Sequence, residues 1–410
     1  MYSKRFFLKS FFLFFLVSCQ SQVVKELENN NENESSSENV AAENVEIIVG
    51  AEQIDLFLPL IKDKNIGLVA NQTSRVGENH LVDTLLSLGI NLKSVFSPEH
   101  GFRGEADAGE SISSGKDKKT GLPLISLYGK NKKPSADQLG DIDIVIFDIQ
   151  DVGARFYTYI STLHYVMEAC AEEGVTVLVL DRPNPNGHYV DGPVLDTNFR
   201  SFVGMHPIPI VHGMTIAEYA KMINGQGWLK NKLQCELKLI SCLNYNRNIL
   251  YSLPISPSPN LRSDAAIALY PSLCLFEGTI VSEGRGTDFP FEVFGHPDLP
   301  KERYNFSFTP TSSFGAKHPK LKGELCYGLQ LTEIGSKQLE NINLSWLMEA
   351  YNNLSTKNFF ITKNRWFDLL AGTDQLRKSI IAGKTEEEIR ASWKADLEEF
   401  AEMRKKYLIY

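Results

Sequence analysis

The chain has 410 residues, with 42 Lys and Arg set against 50 Asp and Glu, for a formal net charge of −8. That balance argues against nucleic acid as a partner, because binding phosphates needs a basic face. Five of the six cysteines lie beyond position 20, an odd number without C-x-x-C spacing, so buried thiols are expected rather than a disulfide framework or a zinc site.

The first element is not part of a fold. Lys4, Arg5 and Lys9 form a basic start, Phe11 to Val17 are continuously apolar, and Leu16-Val17-Ser18-Cys19 places small residues before a cysteine. The apolar run is shorter than the roughly 20 residues that a spanning helix needs. Residues 1–18 therefore read as a lipoprotein signal peptide and Cys19 as the lipid-bearing residue. The protein is then expected to be exported and held to a membrane of the cell envelope, facing the periplasm or the cell surface. Residues 19–44, rich in Asn, Glu and Ser, read as a disordered acidic linker, since they offer too little apolar surface to offset chain entropy.

Next come short apolar runs bounded by polar turns: Ile66 to Ala70, Leu92 to Phe96, Leu124 to Leu127, Ile142 to Phe147 and Val175 to Leu180. Runs apolar on both faces indicate buried parallel strands. Between the last two, Tyr159, Leu163, Val166, Met167 and Cys170 repeat at helical spacing, and Gly174 stops the helix. This rhythm predicts an α/β fold, a Rossmann-like parallel-sheet domain over residues 45–285. Past Arg285 the texture changes to aromatic and Pro-rich turns, strands near Phe306 and Leu325, and then helices. The last helix opens with a Thr385 and Glu388 capping box and buries Ile389, Trp393, Leu397 and Phe400. Residues 286–410 are expected to form a smaller C-terminal α+β domain.

Ligands of open parallel sheets bind beyond the carboxyl ends of the strands, and four of those ends carry polar loops. They are Asn71 to Arg75, Ser97 to Glu105, Asp148 to Tyr157 and Asp181 to Gly187. Each residue also has an ordinary structural role open to it. Glu99 and His100 can close a turn, Asp148 or Asp151 can cap the helix expected near Phe156, Arg155 can be an ion-pair partner, and His212 can be a loop histidine. Ser256 to Leu261, with two prolines, can be no more than a rigid turn.

Several chemistries lack their signatures. No G-x-G-x-x-G follows a strand and no P-loop motif is present, so phosphate cradles for nucleotides are missing. The strand ending in Asp148 has Gln150 where an aspartate phosphatase needs its second Asp. Neither H-E-x-x-H nor G-x-S-x-G occurs, and the histidines show no metal-ligand spacing. Carboxylates on an Arg-bearing polar rim suit glycoside cleavage, which needs an acid beside a leaving oxygen.

Four stretches taken together resemble the NamZ-type exo-β-N-acetylmuramidases. They are Gly67 to Ser74, Phe96-Ser97-Pro98-Glu99-His100-Gly101-Phe102-Arg103-Gly104, Phe147 to Tyr159, and Ser282-Glu283-Gly284-Arg285-Gly286-Thr287. The resemblance implies a Rossmann-like domain and a smaller C-terminal domain with the active-site cleft between them. It also implies release of β-1,4-linked N-acetylmuramic acid from the non-reducing end of peptide-free peptidoglycan fragments, without a cofactor. Glu99 matches the family's catalytic glutamate and becomes the general acid, with Asp148 and Asp151 as candidates for the second carboxylate. Substrate assistance by the sugar's 2-acetamido group is the other route. The lactyl carboxylate of the sugar calls for a guanidinium, and Arg103, Arg155, Arg182 and Arg285 all lie in or beside the matched loops. Asn71, His100, Tyr157, Asn184, His212 and Glu283 complete the expected substrate contacts. A competing reading is an envelope lipoprotein that binds muropeptides without turning them over.

Overall fold

A computed structural model describes residues 46–99, 101–102, 115–354, 356 and 358–410. Cys19, expected to bear a lipid, the expected signal and linker segments, and the site candidates His100 and Arg103 lie outside the described residues.

In chain order the strands are β1 (Asn65–Ala70), β2 (Arg75–Val76), β3 (Asn79–His80), β4 (Asn91–Ser97), β5 (Gly115–Lys116), β6 (Pro123–Ser126), β7 (Ile144–Asp148), β8 (Thr176–Leu180) and β9 (Leu237–Ile240). Seven of them form one sheet in the order β5-β6-β4-β1-β7-β8-β9, parallel throughout except for the two-residue edge strand β5. Leaving that edge aside, the winding runs outward from β1 to β4 and β6, then restarts on its other side with β7, β8 and β9. This is the doubly wound Rossmann order, with its switch point between β1 and β7. The five strands legible as apolar runs all form, and β9 is a sixth, with its Leu-Lys-Leu-Ile sequence at the sheet edge.

Side chains alternate across each strand, so consecutive residues enter opposite layers. Val69, Phe96, Val145, Phe147, Val177 and Val179 face the helices Tyr159–Glu173 and Ile216–Gly225. Leu68, Ala70, Val95, Ile146, Leu178 and Leu180 face the helices Ile54–Ile61 and Leu81–Ser87. The helix after β7 begins at Tyr159, three residues later than the expected start near Phe156, and neither Asp148 nor Asp151 caps it. Its N-cap is Thr158, and Gly174 ends it in the left-handed conformation.

The later part of the chain carries β10 (Val293–His296), β11 (Phe306–Phe308) and β12 (Cys326–Gln330) as a small antiparallel sheet in the order β10-β12-β11. The helix Glu386–Lys405 follows, opened by the reciprocal Thr385 and Glu388 cap and burying Ile389, Trp393 and Phe400. These residues share one continuous core with the helices on that face of the large sheet, and residues 46–410 form one compact unit. Cys170, Cys235, Cys242, Cys274 and Cys326 are buried free thiols. No described helix is long and apolar enough to cross a membrane.

Candidate active site

Three loops at the switch point are stitched together by hydrogen bonds. Asn71, just past β1, is fully buried and donates through Nδ2 to the Tyr159 hydroxyl at 2.9 Å. Thr73 Oγ1 accepts from Gln150 N at 3.1 Å, and Ser74 Oγ donates to Asp148 O. Gln150 Nε2 donates to Pro183 O at 2.7 Å, tying the β7 loop to the β8 loop. Gly153 holds φ at +75°, and a Cβ there would sit 2.2 Å from Asn184 Oδ1, so only glycine lets the two loops meet.

A pocket opens beside this knot. It is lined by Glu99, Tyr157, Thr158, Ser258, Tyr270, Glu277, Arg285, Phe291 and Trp366, among others. Most of the lining comes from residues before 286, with Phe291, Trp366 and Leu370 added from the later part of the chain. Glu99 Oε2 accepts from Thr158 Oγ1 at 2.9 Å. The Tyr128 hydroxyl also hydrogen-bonds to Glu99; burial, then Glu99, then Glu277 push this phenol well above its ordinary range, so it remains a donor. The floor is aromatic: Tyr270 meets Phe156, Tyr157 and Phe291 edge-on at 5.3, 5.8 and 5.0 Å. The Tyr157 hydroxyl donates to Pro257 O at 2.9 Å, so the proline-rich turn supports the pocket as well as lending it Ser258 and Leu261.

Arg285 is the one arginine among the pocket's described lining residues. It donates through Nη2 to Glu277 Oε1 at 2.7 Å, lies 3.5 Å from Glu283, and stacks over Phe291 at 4.8 Å. Glu283 is buried and pairs with Lys320 at 2.7 Å, while Lys320 also donates to Phe276 O, Thr279 O and Val281 O. An alternating row of Glu277, Arg285, Glu283 and Lys320 thus runs along the pocket wall. Burial opposes the charge on Arg285, but Glu277 and then Glu283 more than offset it and push the guanidinium above its ordinary range.

The other predicted site residues sit elsewhere. Asp148 is fully buried and bound by Arg182 through two contacts of 2.6 and 3.0 Å, and Arg182 also donates to Arg75 O. Arg155 is equally buried and donates to the carbonyls of Pro193, Ile208 and Leu370, stapling loops that lie far apart in sequence. Neither guanidinium lines the pocket. Asp151 Oδ2 accepts from Gly153 N, and burial pushes its carboxyl up to about 7. His212 lies 4.0 Å from it and is held neutral, pushed down to about 3 by burial and then by Arg404 and Arg155. Met214 N donates to His212 Nδ1, so the ring proton belongs on Nε2, facing Asp151. Asn184 bridges Met214 O and Asn186 N. These residues hold the rim rigid from behind.

Residue patterns alone did not reveal Glu277, Tyr128, Tyr270 or Trp366. For Glu277 one signal was present: a single carboxylate inside the apolar run Leu273-Cys274-Leu275-Phe276 and Gly278, with no polar neighbour to solvate it. Among the described residues no group of three or more His, Cys, Asp or Glu side chains is placed to hold a metal ion.

Residues 66–265 match the family model described as exo-β-N-acetylmuramidase NamZ, N-terminal, and residues 268–410 match its C-terminal counterpart. The peptidoglycan β-N-acetylmuramidase NamZ of Bacillus subtilis strain 168 is 39% identical over 378 residues, covering 87% of this chain and 90% of the relative. Two crystal structures of DUF1343 family proteins from Bacteroides fragilis NCTC 9343 superpose over 89% of this chain and 99% of theirs. One has 49% identity and a TM-score of 0.81, the other 28% and 0.77.

Proposed function

The chain belongs to the exo-β-N-acetylmuramidase NamZ family, and from that footing we infer that it is a glycoside hydrolase. It releases β-1,4-linked N-acetylmuramic acid from the non-reducing end of peptide-free peptidoglycan fragments. The observation that carries the reading is Glu99, held by Thr158 and Tyr128 in a pocket that a second carboxylate, an arginine and aromatic rings also line. Glu99 acts as the general acid at the glycosidic oxygen.

Arg285 takes the lactyl carboxylate. It is the described arginine that lines the pocket, reaching it from beside Glu277 and Glu283, whereas Arg155 and Arg182 do not line it. A planar donor fork beside an aromatic floor suits a sugar that carries an acid. The protein works in the cell envelope, tethered through a lipid on Cys19 by the acidic linker, where wall fragments diffuse.

The deciding experiment incubates the protein with the disaccharide that begins with N-acetylmuramic acid and measures free sugar. Wild type releases it, and Glu99→Gln keeps the fold and loses release. Wild-type turnover in that variant sinks the assignment of Glu99. Binding without release by the wild type favours the non-catalytic muropeptide-binding reading instead.

A further inference from the structure

Glycosidic cleavage with one proton donor leaves half of the chemistry unassigned. As the bond from the anomeric carbon breaks, positive charge grows on the sugar ring, and an anionic group on the face opposite the leaving oxygen stabilises it. Asp148 and Asp151 are poorly placed for this. The first has both oxygens occupied by Arg182, the second lies behind the rim against Gly153 and His212, and neither lines the pocket.

We infer that Glu277 is the second catalytic carboxylate, facing the α side of the anomeric carbon while Glu99 faces the glycosidic oxygen on the β side. Three observations converge on it. Glu277 and Glu99 line the same pocket, and both carboxylates act on the Tyr128 hydroxyl. The two come from separate elements: Glu99 follows β4, and Glu277 lies in the turn Cys274–Gly278 that continues the helix Asp264–Leu273. Glu277 is also fixed in place: Arg285 grips it and is itself braced by Glu283, which pairs with Lys320.

The balance of the reaction follows. Glu99 gives its proton to the glycosidic oxygen as that oxygen leaves with the bonding electron pair. The charge at the anomeric carbon is met by the Glu277 carboxylate. One water supplies the oxygen that ends on that carbon, and its surplus proton restores the carboxylic acid.

This inference rests on the hydrolase reading, and the test separates the two. The full-length protein is assayed with an aryl β-glycoside of N-acetylmuramic acid, with and without sodium azide. No aryl release by the wild type would overturn the hydrolase reading itself. Given wild-type release, Glu277→Ala is expected to lose on the order of a thousandfold in kcat. Azide, filling the space vacated beside the α face, restores at least about tenfold and leaves the α-glycosyl azide, identified by its anomeric proton coupling. Activity within about tenfold of wild type, no azide rescue in a folded variant, or a β-azide product overturns the assignment. Glu277→Gln, which keeps the shape and the contact to Arg285, guards against misfolding: a wild-type melting profile with kcat lost supports the role, and kcat retained refutes it.

Discussion

Thr158 donates its hydroxyl to Glu99 Oε2 at 2.9 Å, and the same Thr158 is the N-cap of the helix Tyr159–Glu173. The acid is therefore oriented in part by the end of a rigid element. Removing the hydroxyl without changing the shape takes away one of the contacts that orient the carboxyl. Thr158→Val is expected to lower kcat by about ten- to a hundredfold with KM changed by less than about threefold, and Thr158→Ser to restore most of it. A raised KM with kcat intact would place Thr158 in sugar binding instead.

Arg285 offers a second check, on selectivity. Lysine keeps the positive charge but loses the planar fork. Arg285→Lys is expected to raise KM for the N-acetylmuramic acid glycoside by about tenfold or more, and for the matching N-acetylglucosamine glycoside by much less. The ratio of the two is the readout, because disturbance of Glu277 affects both sugars alike. An unchanged ratio removes Arg285 from lactyl recognition.

Asp151 makes stability depend on pH in an unusual direction. Its carboxyl is pushed from 3.8 up to about 7 by burial. Below 3.8 folded and unfolded chains both carry the proton; between 3.8 and 7 only the folded chain keeps it, so this group's contribution falls as pH rises through that window. Asp151→Asn has no such proton to lose. Relative to wild type it is expected to gain about 2 to 3 kcal/mol on going from pH 5 to pH 8, read from urea unfolding at each pH. A constant difference between the two proteins would show that Asp151 does not titrate there.

Cys19 can be tested without touching the fold. Wild type is expected to sediment with membranes and Cys19→Ala to appear soluble, with equal turnover per folded molecule. Wild type found entirely in the soluble fraction would remove the tether.

The large sheet was readable because its central strands are buried on both faces and so are written as unbroken apolar runs such as Ile144 to Phe147. At the edges that signal fails. Gly115–Lys116 is too short to carry a pattern, and Leu237–Ile240 interrupts its own with Lys238. The site was legible in the same partial way. Glu99 follows directly from a strand end, a position that topology alone nominates. Glu277 reaches the pocket only through tertiary packing, from a turn after a helix that no strand rule covers. Residue type misdirects as well: Arg155, Arg182 and Asp148 look like ligand-binding groups in a sequence, and only their buried partners reveal them as staples.

The contacts between the late helix and the large sheet bear on whether this molecule has separable parts. Arg390 holds Asp191 at 2.9 Å, Ile409 N donates to Glu218, and the Tyr410 hydroxyl donates to Asp181 at 2.8 Å. Each of those acids is buried in the half of the chain before residue 265. A cut between residues 265 and 268 would therefore take Arg390 and Ile342 N from the buried Asp191 and one or more donors each from Glu218 and Asp181. Two separately expressed halves should not each fold and then meet; they should remain unfolded until mixed, then gain structure together in one concentration-dependent transition. Evolution could exchange sugar-facing residues on either wall of the cleft, but it could not have traded one wall for another as a ready-made module.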